Sequence, residues 1–223
     1  MGEGAGMIVI FDLDGTLIDS AADIHATANA VLASEGLAPL DLQTVRGFVG
    51  RGVPHLVGCL LAAHDITDPA RQGRMEARFA SLYDDAVGLT RPYPGVPEAL
   101  ETLRGAGHVL GICTNKPVSP ARAVLRHFGL LDHFTAIIGG DSCPRRKPDP
   151  LPLRQARADC GGGPSLMVGD SEIDAECAAE AGIPLLLFTR GFRRTPVEDL
   201  PHARAFDDFV TLPDAVQAIA ATA

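Results

Sequence analysis

Lysine is almost missing from this chain: of its 19 basic residues, all but Lys116 and Lys147 are arginine. The bias toward arginine and alanine runs through the whole sequence, so the two surviving ammonium groups stand out. Each lies beside a candidate phosphate-binding residue, where a compact ammonium and a guanidinium fork are not interchangeable. Paired cysteines are missing too. The five at 59, 113, 143, 160 and 177 are odd in number and show no C-x-x-C spacing, which argues against a disulfide framework and a zinc site. Cys113 sits in an apolar run and reads as a small buried thiol. Apolar runs such as Ile183–Phe188 are strand-length, far short of the about 18 residues that suggest a membrane span. The opening Met1-Gly2-Glu3-Gly4-Ala5-Gly6 lacks the basic and apolar regions of a signal peptide and reads as a flexible leader, with Met7 an alternative start. The cytoplasm is the expected compartment. Excess positive charge is absent as well: the formal net charge of -9 argues against nucleic acid as a partner. The same acidity means that any site for an anion must carry its own local cations.

At 223 residues the chain exceeds one minimal domain, which fits a single core carrying an insertion. The run Met7–Phe11 reads as a buried strand, and a helical pattern runs from Ser20 to Ser34, closed by Gly36. Residues 41–87 read as further helices with apolar stripes at Leu56, Leu60 and Leu61 and at Met75, Phe79 and Leu82, and no strand is evident between about 18 and 90. Arg91–Pro97 punctuates the chain before a helix through Leu103. Thereafter strands at 109–114, 135–138, 166–168, 185–188 and near 203–206 alternate with helices at 119–128, 149–159, 172–181 and from Pro213. This order predicts an α/β fold: a doubly wound parallel sheet (a Rossmann-like core, residues 1–17 and 91–223) with an inserted α-helical cap over 18–90. No internal repeat or low-complexity tract interrupts it.

Four segments carry chemistry. In Phe11-Asp12-Leu13-Asp14-Gly15-Thr16-Leu17 a strand ends in two carboxylates at alternate positions, followed by a turn glycine. Many strands close on such an acidic turn; two carboxylates at the carboxyl edge of a sheet also suit a shared proton or a bound cation. Cys113-Thr114-Asn115-Lys116 ends a later strand, where a hydroxyl and backbone N–H groups ahead of a helix fit either a helix cap or phosphate oxygens. Arg145-Arg146-Lys147-Pro148-Asp149-Pro150 is a basic loop running into a helix, with Pro148 and Pro150 setting its start. Val168-Gly169-Asp170-Ser171-Glu172-Ile173-Asp174 again runs a strand into a glycine and paired acids. Those acids favour a helix N-terminus. Joined to Asp12 across the sheet edge they also make an oxygen-rich pocket for a hard cation, for which Mg²⁺ is the fitting choice.

Taken in this order on successive strands, the four segments resemble the motifs of the haloacid dehalogenase-like hydrolases, a superfamily made mostly of phosphatases. The resemblance implies that Asp12 attacks phosphorus and becomes an aspartyl phosphate, while Asp14 serves as acid and then base. It implies Thr114 as a phosphate ligand, with Asn115 and Lys116 beside it, and Lys147 between the phosphate and Asp12; Arg145 and Arg146 read as surface charges. It gives the metal, Mg²⁺, to Asp12, the backbone carbonyl of Asp14, and Asp170, with Asp174 supporting from behind.

Within the superfamily, Asp14 argues for phosphoryl transfer over dehalogenation. The lack of any lysine before Lys116 leaves the cap without the Schiff base of phosphonoacetaldehyde hydrolases. The cap segment Val45–His55 holds Gly50-Arg51-Gly52, where Arg51 and backbone N–H groups could grip a substrate carboxylate, or the glycines could make a plain interhelical turn. His25 and His55 read as packed or solvated cap residues, and Arg193 and Arg194 as open candidates at the cleft. The segment at 45–55, the opening Asp19–Asp23 and the tail from Gly191 to Leu212 resemble bacterial phosphoglycolate phosphatases, a likeness running from about Met7 to the C-terminus. It implies Mg²⁺-dependent hydrolysis of a small phosphate monoester, 2-phosphoglycolate, to glycolate and phosphate. A sugar phosphomutase and a non-catalytic phosphate-ligand sensor are the alternatives. The expected partner is a small-molecule ester, with no nucleic acid and no membrane.

Overall fold

The computed structural model describes residues 6–84 and 86–221, so Met1–Ala5 of the expected leader lies outside the described residues. Six apolar runs pair as one parallel sheet. In chain order its strands are β1 (Ile8–Phe11), β4 (Val109–Cys113), β5 (Ala136–Ile138), β6 (Ser165–Gly169), β7 (Leu185–Phe188) and β8 (Arg204–Phe206), laid side by side as β5-β4-β1-β6-β7-β8. A strand buried on both faces reads as continuously apolar, and β1 is fully buried along its length. Its alternate side chains enter separate cores. Val9 and Phe11 pack with α5 (Val96–Gly105), α6 (Val118–His127) and α9 (Leu212–Ala220). Ile8 and Ile10 pack with α7 (Leu151–Asp159) and α8 (Glu172–Ala181). On that second face Gly111 is required, because a Cβ there would lie 2.8 Å from Cys160 Sγ.

Between β1 and α5 the chain makes α1 (Ala21–Ser34), α2 (Leu42–Arg46), α3 (Val53–Ala62) and α4 (Pro69–Tyr83), which share a third hydrophobic cluster centred on Val31, Leu60, Met75 and Phe79. Asp41 caps α2 through Thr44 N–H at 2.9 Å, and Asp68 caps α4 through Arg71 N–H at 3.0 Å. Gly36 follows α1 with φ +69°, the left-handed turn its position implied. The sequence showed no strand near 18, yet Ile18–Asp19 (β2) pairs antiparallel with Arg91–Pro92 (β3). Two residues are too few to display a period of two, so this pairing had no sequence signal. The Asp23 carboxylate reinforces the junction by accepting from Leu89 N, Thr90 N and Thr90 Oγ1. Helix α7 starts at Leu151 rather than 149, with Asp149 Oδ1 accepting from Leu151 N at 2.9 Å and Pro148 outside the helix. No helix among the described residues is long and apolar enough to cross a membrane.

Candidate active site

The carboxyl ends of β1, β4 and β6 converge on one point. Asp12 continues β1, its N–H donating to Val168 O at 2.9 Å, and the chain then wraps the Leu13 carbonyl, which accepts from the N–H groups of Thr16, Leu17 and Ile18. Gly15 sits in this turn at φ +90°, and a Cβ there would lie 2.6 Å from an Asp170 carboxylate oxygen. Gly191 is just as constrained from the other side, its Cβ falling 2.2 Å from the same oxygen. Between these glycines Asp170 is fixed by Thr16 Oγ1 at 2.7 Å and Phe192 N–H at 2.6 Å.

Asp12, Asp170 and Asp174 each offer a carboxylate oxygen, and the three oxygens lie within 4.8 Å of one another. Burial pushes the Asp12 carboxyl up to about 6, with Lys147 opposing the rise and Asp174 adding to it. Burial also holds Asp170 well above the usual carboxylate range, helped by Asp174 and Asp12. Among the described residues Lys147 is the one cation paired with this cluster, its Nζ 2.8 Å from Asp12 Oδ1 and 2.7 Å from Asp174 Oδ1. Burial would lower the Lys147 pKa, but Asp12 and Asp174 override it and hold the ammonium charged. The remaining excess of buried negative charge, presented on hard oxygens, fits a divalent cation of the Mg²⁺ type. Asp174 is the least available of the three. Its Oδ2 already accepts from Asp170 N, Ser171 N and Ser171 Oγ, and its Oδ1 from Lys147. This arises locally, because Ser171 and Asp174 form a reciprocal capping box at the start of α8.

Lys147 is held in place by Asn115. The Asn115 Oδ1 accepts from Lys147 N at 3.0 Å, while its Nδ2 donates to Lys147 O at 2.9 Å and to Gly50 O, in the loop after α2, at 2.8 Å. The carboxamide is thus committed to backbone on both sides, and its geometry is that of a strap between loops. Thr114, one residue earlier, lines the cavity and accepts from Lys116 N–H at 3.2 Å. The Lys116 ammonium lies 3.2 and 3.5 Å from the two Asp14 oxygens and 4.0 Å from the Tyr83 ring centroid, and it donates to the Tyr83 hydroxyl. Ser20 Oγ donates to Asp14 Oδ1 at 2.6 Å. The Asp14 side chain therefore faces Lys116 and Ser20, apart from the cluster of the other three acids.

Over this edge lies a cavity of about 50 Å³, roofed by Ile24, Val53, Leu56, Phe79 and Tyr83. Gly50 and Gly52 line it, but Arg51 between them is exposed and does not. Arg145 pairs at the surface with Asp149 at 2.9 Å, and Arg146 donates to Gly140 O at 2.6 Å. His25 is tied to Leu40 O at 2.9 Å, and exposed His55 lies 3.4 Å from Cys59 Sγ. Arg193 donates to Thr189 O, and Arg194 to Gly47 O at 3.1 Å, so neither lines the cavity. Thr16, Ser20, Tyr83 and Gly191 join the site without having been singled out for it in the sequence. Gly191 and Ser20 lay in segments that carried the resemblance, whereas Tyr83, next to the stripe Met75, Phe79 and Leu82, gave no signal of its own.

Residues 9–188 match the haloacid dehalogenase-like hydrolase model, and the chain belongs to that family. A phosphoglycolate phosphatase of Cereibacter sphaeroides is 49% identical over 215 residues, covering 96% of this chain and 99% of its own. A phosphoglycolate phosphatase of Rhodobacter capsulatus is 48% identical over 94% of this chain and 96% of its own. Among solved structures, a predicted phosphoglycolate phosphatase from Haemophilus somnus superposes with a TM-score of 0.88 at 28% identity, covering 97% of this chain and 99% of that one.

Proposed function

We propose that this protein is a Mg²⁺-dependent phosphatase that hydrolyses 2-phosphoglycolate to glycolate and phosphate. The observation that carries the reading is the division of labour between the two carboxylates of the first motif. Asp12 faces the metal cluster and Lys147, whereas Asp14 faces away from that cluster toward Lys116 and Ser20. Such a separation suits a nucleophile and a proton donor acting on opposite sides of one phosphorus.

In the first step an Asp12 oxygen bonds to phosphorus, the bond from phosphorus to the glycolate oxygen breaks, and Asp14 gives that oxygen its proton. In the second, water attacks the aspartyl phosphate, Asp14 takes the water's proton, and the Asp12–phosphorus bond breaks. One residue serves both steps because the second reverses the proton flow of the first. Lys147 holds positive charge against Asp12 and so lowers the repulsion an incoming phosphate meets. Thr114 offers its hydroxyl to a phosphate oxygen, and Asn115 keeps Lys147 at the right depth. Asp12, the Asp14 backbone carbonyl and Asp170 would hold Mg²⁺, with Asp174 bracing Lys147 and the loop behind Asp170. The ion supplies charge neutralisation between anions that otherwise repel.

The small cavity, about 50 Å³, supports a small substrate. The helices of 21–83, with their own core and a paired junction at 18–19 and 91–92, support a cap over 18–90 inserted into a core of 1–17 and 91–223. Five free cysteines support a reducing compartment such as the cytoplasm. The decisive experiment measures phosphate release from 2-phosphoglycolate beside sugar phosphates, nucleotides and pyrophosphate, with Mg²⁺ and with chelator. Chelator-sensitive preference for 2-phosphoglycolate is expected. Release from a different ester alone would discard the substrate, and isomerisation without release would replace the phosphatase by a mutase.

A further inference from the structure

The substrate of the proposed reaction carries two anionic ends, and the cations at the site are few. Lys147 is clamped between Asp12 and Asp174 on the metal side. Among the described residues, Lys116 is the single cation lining the cavity, since Arg51 is exposed and outside it. An ammonium has three hydrogens to give. Its acceptors among the described residues are the two Asp14 oxygens, at 3.2 and 3.5 Å, and the Tyr83 hydroxyl. Lys116 is buried, with 4% of its side chain exposed, and it lines the cavity.

The placement of that ammonium is informative because of what Asp14 must touch. As proton donor, Asp14 hydrogen-bonds the ester oxygen of the leaving group. In 2-phosphoglycolate the carboxylate is one methylene carbon from this oxygen. A cation 3.2 Å from the Asp14 carboxylate is therefore beside the place where the substrate carboxylate comes to rest. We propose that the Lys116 ammonium, steadied by the cap residue Tyr83, binds the substrate carboxylate and is the main determinant of specificity for 2-phosphoglycolate. The rest of the surroundings is consistent with one charged contact and little else. Ile24, Val53, Leu56 and Phe79 offer no hydrogen bond to a neutral hydroxyl in the same position. A substrate bearing a hydroxymethyl group there offers the ammonium a neutral acceptor in place of an anion, so the charge-assisted bond is lost. Tyr83 comes from the end of α4, so the recognition site is complete only where cap and core meet.

This inference rests on the phosphatase reading and is tested with a substrate pair that can fail separately. The pair is 2-phosphoglycolate and 2-hydroxyethyl phosphate, which share the ester and differ in the carboxylate. The native protein is expected to prefer the acid in kcat/KM by about 10–100-fold, the range of one charge-assisted hydrogen bond in a buried site. Lys116→Met should lower that preference at least tenfold, mainly through KM for the acid. A loss equal for both substrates would overturn the proposal and leave Lys116 as a positioning residue for Asp14. Lys116→Gln, which keeps a hydrogen-bond donor but removes the charge, gives the same test if the Met variant does not fold. Native protein that hydrolyses both esters equally well would overturn the proposal while the phosphatase reading stands. Release from neither ester would instead strike the phosphatase reading.

Discussion

From the sheet edge the cavity receives Asp12, Asp14, Thr114 and Lys116, whereas from the helices above it receives Ile24, Leu56, Phe79 and Tyr83. The lower set is charged, and its members are fixed by partners from other segments: Asp12 by Lys147, Asp14 by Lys116 and Ser20. The upper set is apolar except for one phenol. Burial, with Asp14 and Asp23 nearby, holds that phenol's pKa well above its usual value, so it stays protonated. The contrast assigns separate tasks. Charges pinned before substrate arrives can stabilise developing charge without reorganising, and an apolar roof strengthens them by excluding water. Substitutions of the lower carboxylates should therefore abolish chemistry, whereas substitutions above, and at Lys116 where floor meets roof, should change which substrates fit.

The largest effect is expected below. Asp12→Asn keeps the side-chain shape but removes the nucleophile, and turnover should fall by about 10⁴-fold or more with the fold retained by circular dichroism. Steady-state phosphate release by that variant would remove Asp12 from its role. Next comes Lys147→Ala, expected to cost on the order of 10²-fold in kcat and to destabilise the metal-free protein by about 3–5 kcal/mol, because Asp12 and Asp174 lose their shared counter-charge. Arg146→Ala removes only a bond to Gly140 O and should cost far less, so equal losses in the two variants would erase the distinction between them.

A change in the roof should act on selection. Leu56 is 5% exposed and lines the cavity, so Leu56→Ala enlarges the space over the phosphate while thinning the cap core. Its expected cost is about 2–5 kcal/mol of stability. The rate ratio of a bulkier sugar phosphate to 2-phosphoglycolate should rise by about tenfold, on the scale of a methylene or two in an apolar pocket. An unchanged ratio would mean that the cap does not gauge substrate size.

The two regions were also unequally legible. Below the cavity, β7 was read to the residue and β1, β4 and β6 to within two, because each is a continuous apolar run that ends in a glycine or a polar turn. Asp12, Thr114, Lys147 and Asp170 stood out as candidates because they sit at strand ends or just past a turn. The contacts that give them direction were hidden. Asn115 reads as a candidate phosphate-binding residue beside Thr114, yet its carboxamide bonds Lys147, 32 positions away, and Gly50, 65 positions away. Above the cavity, Arg51 drew attention as a cation between glycines. Its neighbours Gly50 and Gly52 face inward, each at positive φ, and it remains outside. Tyr83 does not stand out in the sequence, and only packing shows that its hydroxyl meets Lys116. Local patterns report backbone and burial; which side chains meet across separate segments is decided by the fold.

Protonation separates the regions again, with a smaller effect. The Asp12 carboxyl lies near 6 in the folded protein against 3.8 unfolded, so between these values the native state binds more protons. Without metal, this contribution makes stability fall as pH rises from about 4 to about 6, and it stays lost above that. Asp170 acts in the same direction, while the stabilisation from Lys147 is fully present throughout, far below its unfolded pKa of 10.5. Binding of Mg²⁺ to ionised carboxylates offsets the loss. Thermal melts with Mg²⁺ and with chelator should therefore differ more near pH 7.5 than near pH 5, and an equal difference would argue against the three-acid cluster as the ion's site.

The smallest effect is expected at Arg51, the cation that stood out in the cap segment 45–55. Its side chain is exposed and absent from the cavity wall, so Arg51→Ala should change stability by no more than about 0.5 kcal/mol. The preference for 2-phosphoglycolate over 2-hydroxyethyl phosphate should survive the substitution within about twofold, since a screened surface charge contributes little. Lys116→Met should collapse the same ratio. Were Arg51→Ala to collapse it instead, the guanidinium would have to swing inward when substrate arrives. The cap would then supply the charge that recognises the carboxylate, and the contrast between a charged floor and an apolar roof would hold only for the ligand-free molecule.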